Sequence, residues 1–276
     1  VLDYAVLVIS GTDGVQSHTE TLWRLLSRYN IPTFLFINKM DIAENRNSDL
    51  IGELTKRFGA GFVDFSADRS SEAFYEAVSM CDNILMEQFL ENGSVNDGDI
   101  VSAIAGRRIF PCCFGSALKD IGVDEFIEVL CGYTAQPVFG NEFGAKVFKM
   151  ADDGQGNRLS YMKITGGSLK VRTAVSDCDR KWTEKVNQIR IYSGAKFQAV
   201  DEAVAGTVCA VTGLTKTVTG QGIGAERDSF SPVIEPVLSY RIDLPPDVDA
   251  HTALSKLRIL EEEDPQLHIV WNEQLQ

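Results

Sequence analysis

Two rhythms of apolar and polar positions divide the chain. Up to about residue 135, unbroken apolar runs alternate with stretches whose apolar residues recur every three or four positions. Ala5 to Ile9 is such a run, closed by Ser10-Gly-Thr-Asp-Gly14, and it predicts a strand buried on both faces. Ser17-x-x-Glu20 then has the form of a capping box, with Leu22, Leu25, Leu26 and Tyr29 on one helical face and Asn30 and Pro32 as the stop. Thr33 to Ile37 predicts the next strand, and strand, helix and strand of these lengths make one right-handed parallel crossover. Helices are expected from Asp49 to Phe58, from Ser70 to Leu90 and from Asp99 to Arg107. Phe74, Val78, Cys81 and Leu85 have the spacing of a buried stripe, and Asn92 to Gly98 is a polar turn. A further strand covers Ile109 to Phe114, then Val123, Phe126, Ile127 and Leu130 mark the last helix and Ala135-Gln-Pro137 its exit.

From Phe143 to Val237 the pattern changes to short alternating or β-branched runs divided by Gly, Asp and Asn. Asp152-Asp-Gly-Gln-Gly-Asn157 is a hairpin turn and Thr165-Gly-Gly-Ser168 another break. The runs Leu159 to Thr165, Val186 to Tyr192 and Gly206 to Thr212 predict a closed or nearly closed β-barrel. Gly220-Gln-Gly222-Ile-Gly224 superficially has the look of a phosphate loop, but no helix pattern and no Lys-Ser/Thr pair follows, so a flexible barrel loop is expected there. The tail starts with a strand over Val237 to Leu244, continues through Pro245-Pro246 to a helix carrying Ala253, Leu257 and Leu260, and ends in a strand over Gln266 to Trp271. That order is the opening of an α+β domain, and Trp271 is expected in its core.

Composition adds bounds. With 276 residues and 44% hydrophobic content the chain has material for about two cored domains. No apolar run approaches the roughly 20 residues of a membrane-spanning helix. Six cysteines without Cys-x-x-Cys spacing fit a reduced, cytoplasmic setting, and with three scattered histidines they offer no metal site. The net charge of -13 is unevenly spread: residues 1 to 135 hold 10 Lys and Arg against 20 Asp and Glu, residues 136 to 236 hold 13 against 11, and residues 237 to 276 hold 3 against 8. A surplus of two positive charges in the middle third is no nucleic-acid footprint.

The chemistry is concentrated at two strand ends. The run ending at Ile37 stops in Asn38-Lys39-Met40-Asp41. Guanine presents two neighbouring donors, its ring N–H and its exocyclic amine, and an ionised Asp41 is an acceptor-only group with two oxygens to match them. Asn38 can bridge base and neighbouring loop, and Lys39 can lay its methylene stem on a ring face with its ammonium in water. Taken alone the tetrapeptide is also compatible with an ordinary turn. The strand ending at Phe114 supplies a second tip, Gly115-Ser116-Ala117, small enough for close backbone approach, so that the Ala117 amide can donate to the guanine carbonyl. A strand-to-helix turn capped by Ser116 is the plainer alternative. Arg107 and Arg108 are candidates for phosphate, with a solvated helix end as their plainer role.

Asn-Lys-Met-Asp followed by Gly-Ser-Ala, with Asp13-Gly14-Val15-Gln16 upstream and a β-rich segment downstream, resembles the translational GTPases of the elongation factor G type over nearly the whole chain. Within that group Leu159-Ser-Tyr-Met-Lys-Ile-Thr-Gly-Gly-Ser-Leu, Glu263-Asp-Pro-Gln-Leu and Trp271-Asn-Glu-Gln look most like the tetracycline-resistance ribosomal-protection proteins, although the Glu-Asp-Pro motif is similar in elongation factor G itself.

The resemblance implies an α/β fold with a truncated P-loop GTPase-type parallel sheet at 1–135, a β-barrel domain at 136–236 and an incomplete, ferredoxin-like α+β domain at 237–276. It implies a guanine site of Asn38, Lys39, Asp41, Ser116 and Ala117, with GTP as ligand, the ribosome as partner of the intact protein, and neither membrane nor DNA. The chain has no Gly-x-x-x-x-Gly-Lys-Ser/Thr, and none of its 23 glycines precedes a lysine. By resemblance the phosphate loop, first switch and water-positioning histidine lie before Val1, where the sequence starts directly inside a strand, and magnesium and hydrolysis go with them. His18, on a surface helix, is no substitute. GTP hydrolysis is therefore expected of the intact protein and not of this chain. Three readings stay open: a ribosomal-protection factor that releases tetracycline, an elongation factor G or release factor 3-like translation factor, and a non-catalytic ribosome-docking module.

Overall fold

The computed structural model describes residues 1–43, 46–229, 238–245 and 248–271. It divides into two compact units, Leu2–Gln136 and Pro137–Gln276, with Val1 grouped with the second.

The first unit runs β1 (Ala5–Ser10), α1 (Ser17–Arg28), β2 (Thr33–Asn38), α2 (Asn47–Phe58), β3 (Phe62–Asp64), α3 (Glu72–Ser79), α4 (Asn83–Asn92), α5 (Asp97–Ala105), β4 (Phe110–Phe114) and α6 (Val123–Tyr133). The sheet is parallel, in the order β1-β2-β4-β3. Alternate residues of a strand face opposite ways, so Phe34 and Phe36 enter one core with Phe74, Val78 and Phe126, while Leu35 and Ile37 enter another with Trp23, Leu50 and Leu54. The apolar run Phe34–Ile37 within β2 is what a central strand sandwiched between two helical layers requires.

Several expectations change here. Among the described residues β1 lies at the sheet's edge: Leu7 and Ile9 are buried, but Val6 and Val8 are 44% and 59% exposed, so it is not covered on both faces. No capping box forms at Ser17; Gln16 takes the cap position without a side-chain bond, because the Glu20 carboxylate is drawn to Arg57 at 2.9 Å instead. The buried residue of α1 is Trp23, packed on Phe58, Phe62 and Phe110, and Tyr29 points to solvent. The helix expected from Ser70 to Leu90 is two helices. Asp82 caps the second by accepting from the Ile84 amide at 2.8 Å, a side-chain bond that competes with helix continuation. The stripe nevertheless survives the break, with Phe74, Val78 and Leu85 buried in one core and Cys81 packed against it. Short β3, between Gly61 and the Ser66 turn, escapes a periodicity reading because three residues contain no period.

The second unit is β-rich: β5 (Gly144–Asp152), β6 (Arg158–Gly166), β7 (Ser168–Lys170), β8 (Ala174–Ser176), β9 (Thr183–Lys185), β10 (Gln188–Ser193), β11 (Lys196–Val200), β12 (Glu202–Val204), β13 (Val208–Thr212) and β14 (Gly222–Gly224). Six strands form one sheet, β11-β10-β13-β6-β5-β14, and two ribbons, β12-β7 and β8-β9, complete the wall of a core built on Val147, Met162, Ile164, Ile189, Val211 and Ile223. A bridge between Asp177 and Ile223 ties the second ribbon to β14.

The glycine-rich segment at 220–224 is therefore not a flexible loop. It contributes a strand paired with β5, and its glycines answer crowding: a Cβ on Gly222 would lie 2.2 Å from the Glu226 carbonyl oxygen, and one on Gly224 2.3 Å from that of Phe143.

In the tail, α7 (Ala250–Glu263) is capped by Asp249, which accepts from the Thr252 amide at 2.8 Å. Neither flanking run forms a strand: residues 238–245 and 268–271 are unpaired, and the expected strand start at Val237, Pro246 and the run 272–274 fall outside the described residues. A strand exists only by pairing, and no neighbour among the described residues offers these runs a ladder. The expected α+β opening is thus present as its helix alone. Trp271 is half-buried with its ring 6.0 Å from that of His251.

Candidate functional site

The carboxyl ends of β1, β2 and β4 bring three loops together, the crevice in which an open parallel sheet gathers ligand-binding groups. Backbone bonds tie the loops to one another. The Gly11 amide donates to the Asn38 carbonyl at 2.7 Å, the Gly115 amide to Ile37 at 2.9 Å, and the Met40 amide back to Gly115 at 3.0 Å. Gly115 is where the backbones meet most closely: a Cβ there would stand 2.2 Å from the Ile121 carbonyl oxygen and 2.9 Å from the Phe36 ring.

Within this frame Asn38, Asp41, Ser116 and Ala117 come together. The Asn38 side-chain oxygen accepts from the Ala117 amide at 2.9 Å and from the Lys39 amide at 2.8 Å, so one carboxamide clasps the two tips. Its NH2 is the group left to face a ligand. This alters one expectation: the Ala117 amide is held by Asn38, so donation to a base carbonyl requires it to be shared or released. Lys39 has a left-handed backbone, φ 64°, and an exposed side chain, placing its stem at the crevice rim rather than in the core.

Asp41 is the electrostatic centre. Its side chain is 13% exposed and its Oδ2 lies 3.1 Å from Nζ of Lys119. The Ser116 hydroxyl and then the Lys119 ammonium hold its carboxyl below the ordinary aspartate range, against the opposing effect of burial. Asp41 is therefore ionised at neutral pH. Ser116 is 2% exposed and closes its own loop, since its amide donates to the Ile121 carbonyl at 2.9 Å and its carbonyl accepts from the Ile121 amide at 3.0 Å. Lys119 ends the 3-10 turn Ala117–Lys119 that this closure creates. Lys119 was not among the expected site residues: 78 positions separate it from Asp41, and no local pattern announces a pair made by two strand ends.

The two arginines at the end of α5 differ: Arg108 is exposed, as expected of a solvated helix end, whereas Arg107 is drawn inward. Arg107 donates to Thr33 Oγ1 at 2.9 Å and to the Ile31 carbonyl, with its guanidinium 5.0 Å from the Trp23 ring centre and 5.1 Å from that of Phe110. Arg108 pairs with Asp82 at 2.6 Å. His18 is exposed on α1. Among the described residues no group of three or more His, Cys, Asp or Glu is placed to hold a metal, and no helix is long and apolar enough to cross a membrane.

Chemically, the arrangement gathers an anionic acceptor, an amide donor and a lysine at adjoining strand ends, a set suited to a planar group with paired donors.

Comparison with known proteins bears on the family of both units. Residues 1–136 match the elongation factor Tu GTP binding domain and residues 142–223 match elongation factor G domain 2. The chain is 26% identical to elongation factor G of Ureaplasma urealyticum serovar 10 over 99% of its own length and 50% of that protein's. It is 25% identical to elongation factor G 2 of Syntrophus aciditrophicus, over 99% of its length and 51% of that protein's. It thus spans about half the length of these relatives. A crystal structure of a Thermus thermophilus protein shares the fold with TM-score 0.76 and 20% identity, covering 96% of this chain and 47% of that one.

Proposed function

This chain belongs to the translational GTPases of the elongation factor G type, and from that premise we propose that its strand-end crevice binds the guanine of GTP in a protein that works on the ribosome. Asp41 accepts from the ring N–H and the exocyclic amine, Asn38 directs its NH2 to the base, Lys39 covers a ring face, and Ser116 and Ala117 complete the loop beneath it. The observation that carries the reading is the clasp between Asn38 and the Ala117 amide at 2.9 Å, beside a carboxylate kept ionised: two tips far apart in sequence meet around one acceptor, Asp41. Adenine presents an acceptor where guanine presents its ring N–H, so Asp41 would repel it.

The intact protein, in this reading, hydrolyses GTP in the cytoplasm with ribosomes as the stimulus, and the nucleotide holds the ribosome-binding form. Magnesium and phosphate belong to parts absent from this sequence, which has no Gly-x-x-x-x-Gly-Lys; we assign the 276-residue chain the base-reading half of the site and no turnover of its own. The narrower proposal is ribosomal protection, in which the bound factor dislodges tetracycline without modifying it. Its support is confined to Leu159–Leu169, Glu263–Leu267 and the motif beginning at Trp271. The elongation factor G relatives favour the second reading, a translocation or recycling factor, and a docking module without catalysis is the third.

The test is Asp41→Asn in the intact protein, which replaces one acceptor oxygen by a donor. Preference for GTP over xanthosine triphosphate should fall by about tenfold to a hundredfold, since a bidentate base contact discriminates by about 1–3 kcal/mol. An unchanged preference would remove Asp41 from base reading. Growth on tetracycline with and without the gene separates ribosomal protection from the other two readings, and steady GTP turnover by the purified 276-residue chain would overturn the division of labour.

A further inference from the structure

We propose that Lys119 is a positioning residue for the guanine-reading carboxylate, holding Asp41 from behind so that its remaining acceptor sites face the base. The inference rests on the guanine reading above and concerns a residue outside the set that reading uses.

A carboxylate has two oxygens with about four acceptor sites, and the torsion that turns its plane is broad and weakly held. Bidentate recognition of guanine uses one site on each oxygen. The others need partners, or the plane is free to rotate away from the productive angle. The structure supplies two: the Ser116 hydroxyl, and the Lys119 ammonium 3.1 Å from Oδ2. Both come from the loop that follows β4, while Asp41 belongs to the loop that follows β2, so the pair also fixes one tip against the other.

Lys119 is suited to this by its backbone. It closes a single 3-10 turn, its amide donating to the Ser116 carbonyl at 3.1 Å, and Asp120 after it adopts φ 55° so that the chain returns to Ile121. The mutual Ser116–Ile121 bonds then anchor the base of the lysine to a residue only 2% exposed. The side chain is itself 55% exposed against 13% for Asp41. A solvated cation thus reaches inward to an enclosed anion, leaving the crevice side of the carboxylate to the ligand. Among the described residues the groups that act on the Asp41 carboxyl are the Ser116 hydroxyl, the Lys119 ammonium and its own backbone amide, so Lys119 is the one charge among them opposing protonation there.

The sign of the pH effect follows. Asp41 binds the base only when ionised, and Lys119 favours the ionised form. Removing the lysine raises the pH range over which Asp41 protonates, so binding fails at a higher pH than in the parent protein. Because the lysine is largely solvated, the effect is modest and weakens with salt.

The experiment uses the intact protein, measuring GDP and xanthosine diphosphate affinity for the parent, Lys119→Met, Lys119→Arg and Asp41→Asn from acid to neutral pH at low and high salt. Lys119→Met should weaken GDP binding about three- to tenfold at low salt, less at high salt, and move the acid limb upward; Lys119→Arg should restore most of both. Thermal unfolding of each variant excludes a folding defect. If Asp41→Asn loses guanine preference while Lys119→Met leaves affinity and acid limb unchanged, or tightens binding, the positioning role is wrong and the base reading stands. If the parent protein itself shows no preference for GDP, the base reading fails, and this inference with it.

Discussion

At the strand ends of the α/β unit, Asn38 and Asp41 keep bonding capacity for a ligand, whereas on the β-rich unit Arg190 of β10 and Asp153 of the β5–β6 turn have theirs used up. Asp153 accepts from Asn157 Nδ2 at 2.9 Å, from the Gln155 and Asn157 amides at 3.0 and 3.1 Å, and from Arg190 Nη1 at 3.1 Å. Arg190 also donates from Nε to the Gln188 side-chain oxygen at 2.7 Å and covers the Phe197 ring at 4.4 Å. Buried Ser160 and Thr217 likewise satisfy one another at 2.7 Å. Both units carry half-buried carboxylates that stay ionised. Burial and a lowered pKa therefore do not mark a binding site by themselves; what distinguishes Asp41 is unspent bonding capacity at a strand-end crevice, while Asp153 is closed into a hairpin.

Three measurements press on that contrast. The largest effect is expected from Gly115→Ala, which places a methyl against the Ile121 carbonyl and the Phe36 ring. It should cost about 3 kcal/mol and lower the Tm of the first unit by about 10 °C, with nucleotide binding by the intact protein lost alongside. A well-folded Gly115→Ala variant that still binds would mean that the tips need not meet so closely.

Next is Asp153. Its carboxyl is held at about 2, first by the Asn157 side chain and then by backbone amides and Arg190. A folded-state value below the ordinary 3.8 stabilises the fold above that pH, and the contribution is lost as pH falls toward 2. Acid unfolding of the parent should therefore steepen between about pH 4 and 2, and Asp153→Asn should remove that part of the dependence while leaving nucleotide preference alone. A changed preference would join the two regions that the contrast separates.

The smallest effect is read by thiol labelling. Burial pushes Cys113 in the first unit and Cys209 in the second each up to about 12, while Cys131 is exposed. Iodoacetamide near pH 8 should modify Cys131 and spare both others until unfolding. Earlier labelling of Cys209 than of Cys113 would show that the β-rich core opens first.

Much of this arrangement could be read from the chain because its signals are local. Phe34–Ile37 of β2 is apolar and buried without interruption, the Asp152–Asn157 hairpin follows from its turn residues, and the Asn38 and Ser116 tips follow from where the apolar runs stop. What escaped was decided by partners remote in sequence. Glu20 abandons its cap for Arg57, Arg107 is claimed by Trp23 and Thr33, and Lys119 by Asp41. The glycines at 222 and 224 had the look of flexibility, but their cause is crowding by Glu226 and Phe143, which only the folded chain supplies. The tail strands failed for the converse reason, since apolar alternation without a neighbour gives no ladder.

The outer margin of β1 has a practical consequence. Val6 and Val8 are exposed beside backbone groups that, among the described residues, have a partner strand on one side only. Such a margin is an adhesive template, and here it lies in a segment with twice as many acidic as basic residues. Mutual repulsion should keep copies of the isolated chain apart in dilute buffer and fade as ionic strength rises, so added salt should turn a clear solution of it turbid.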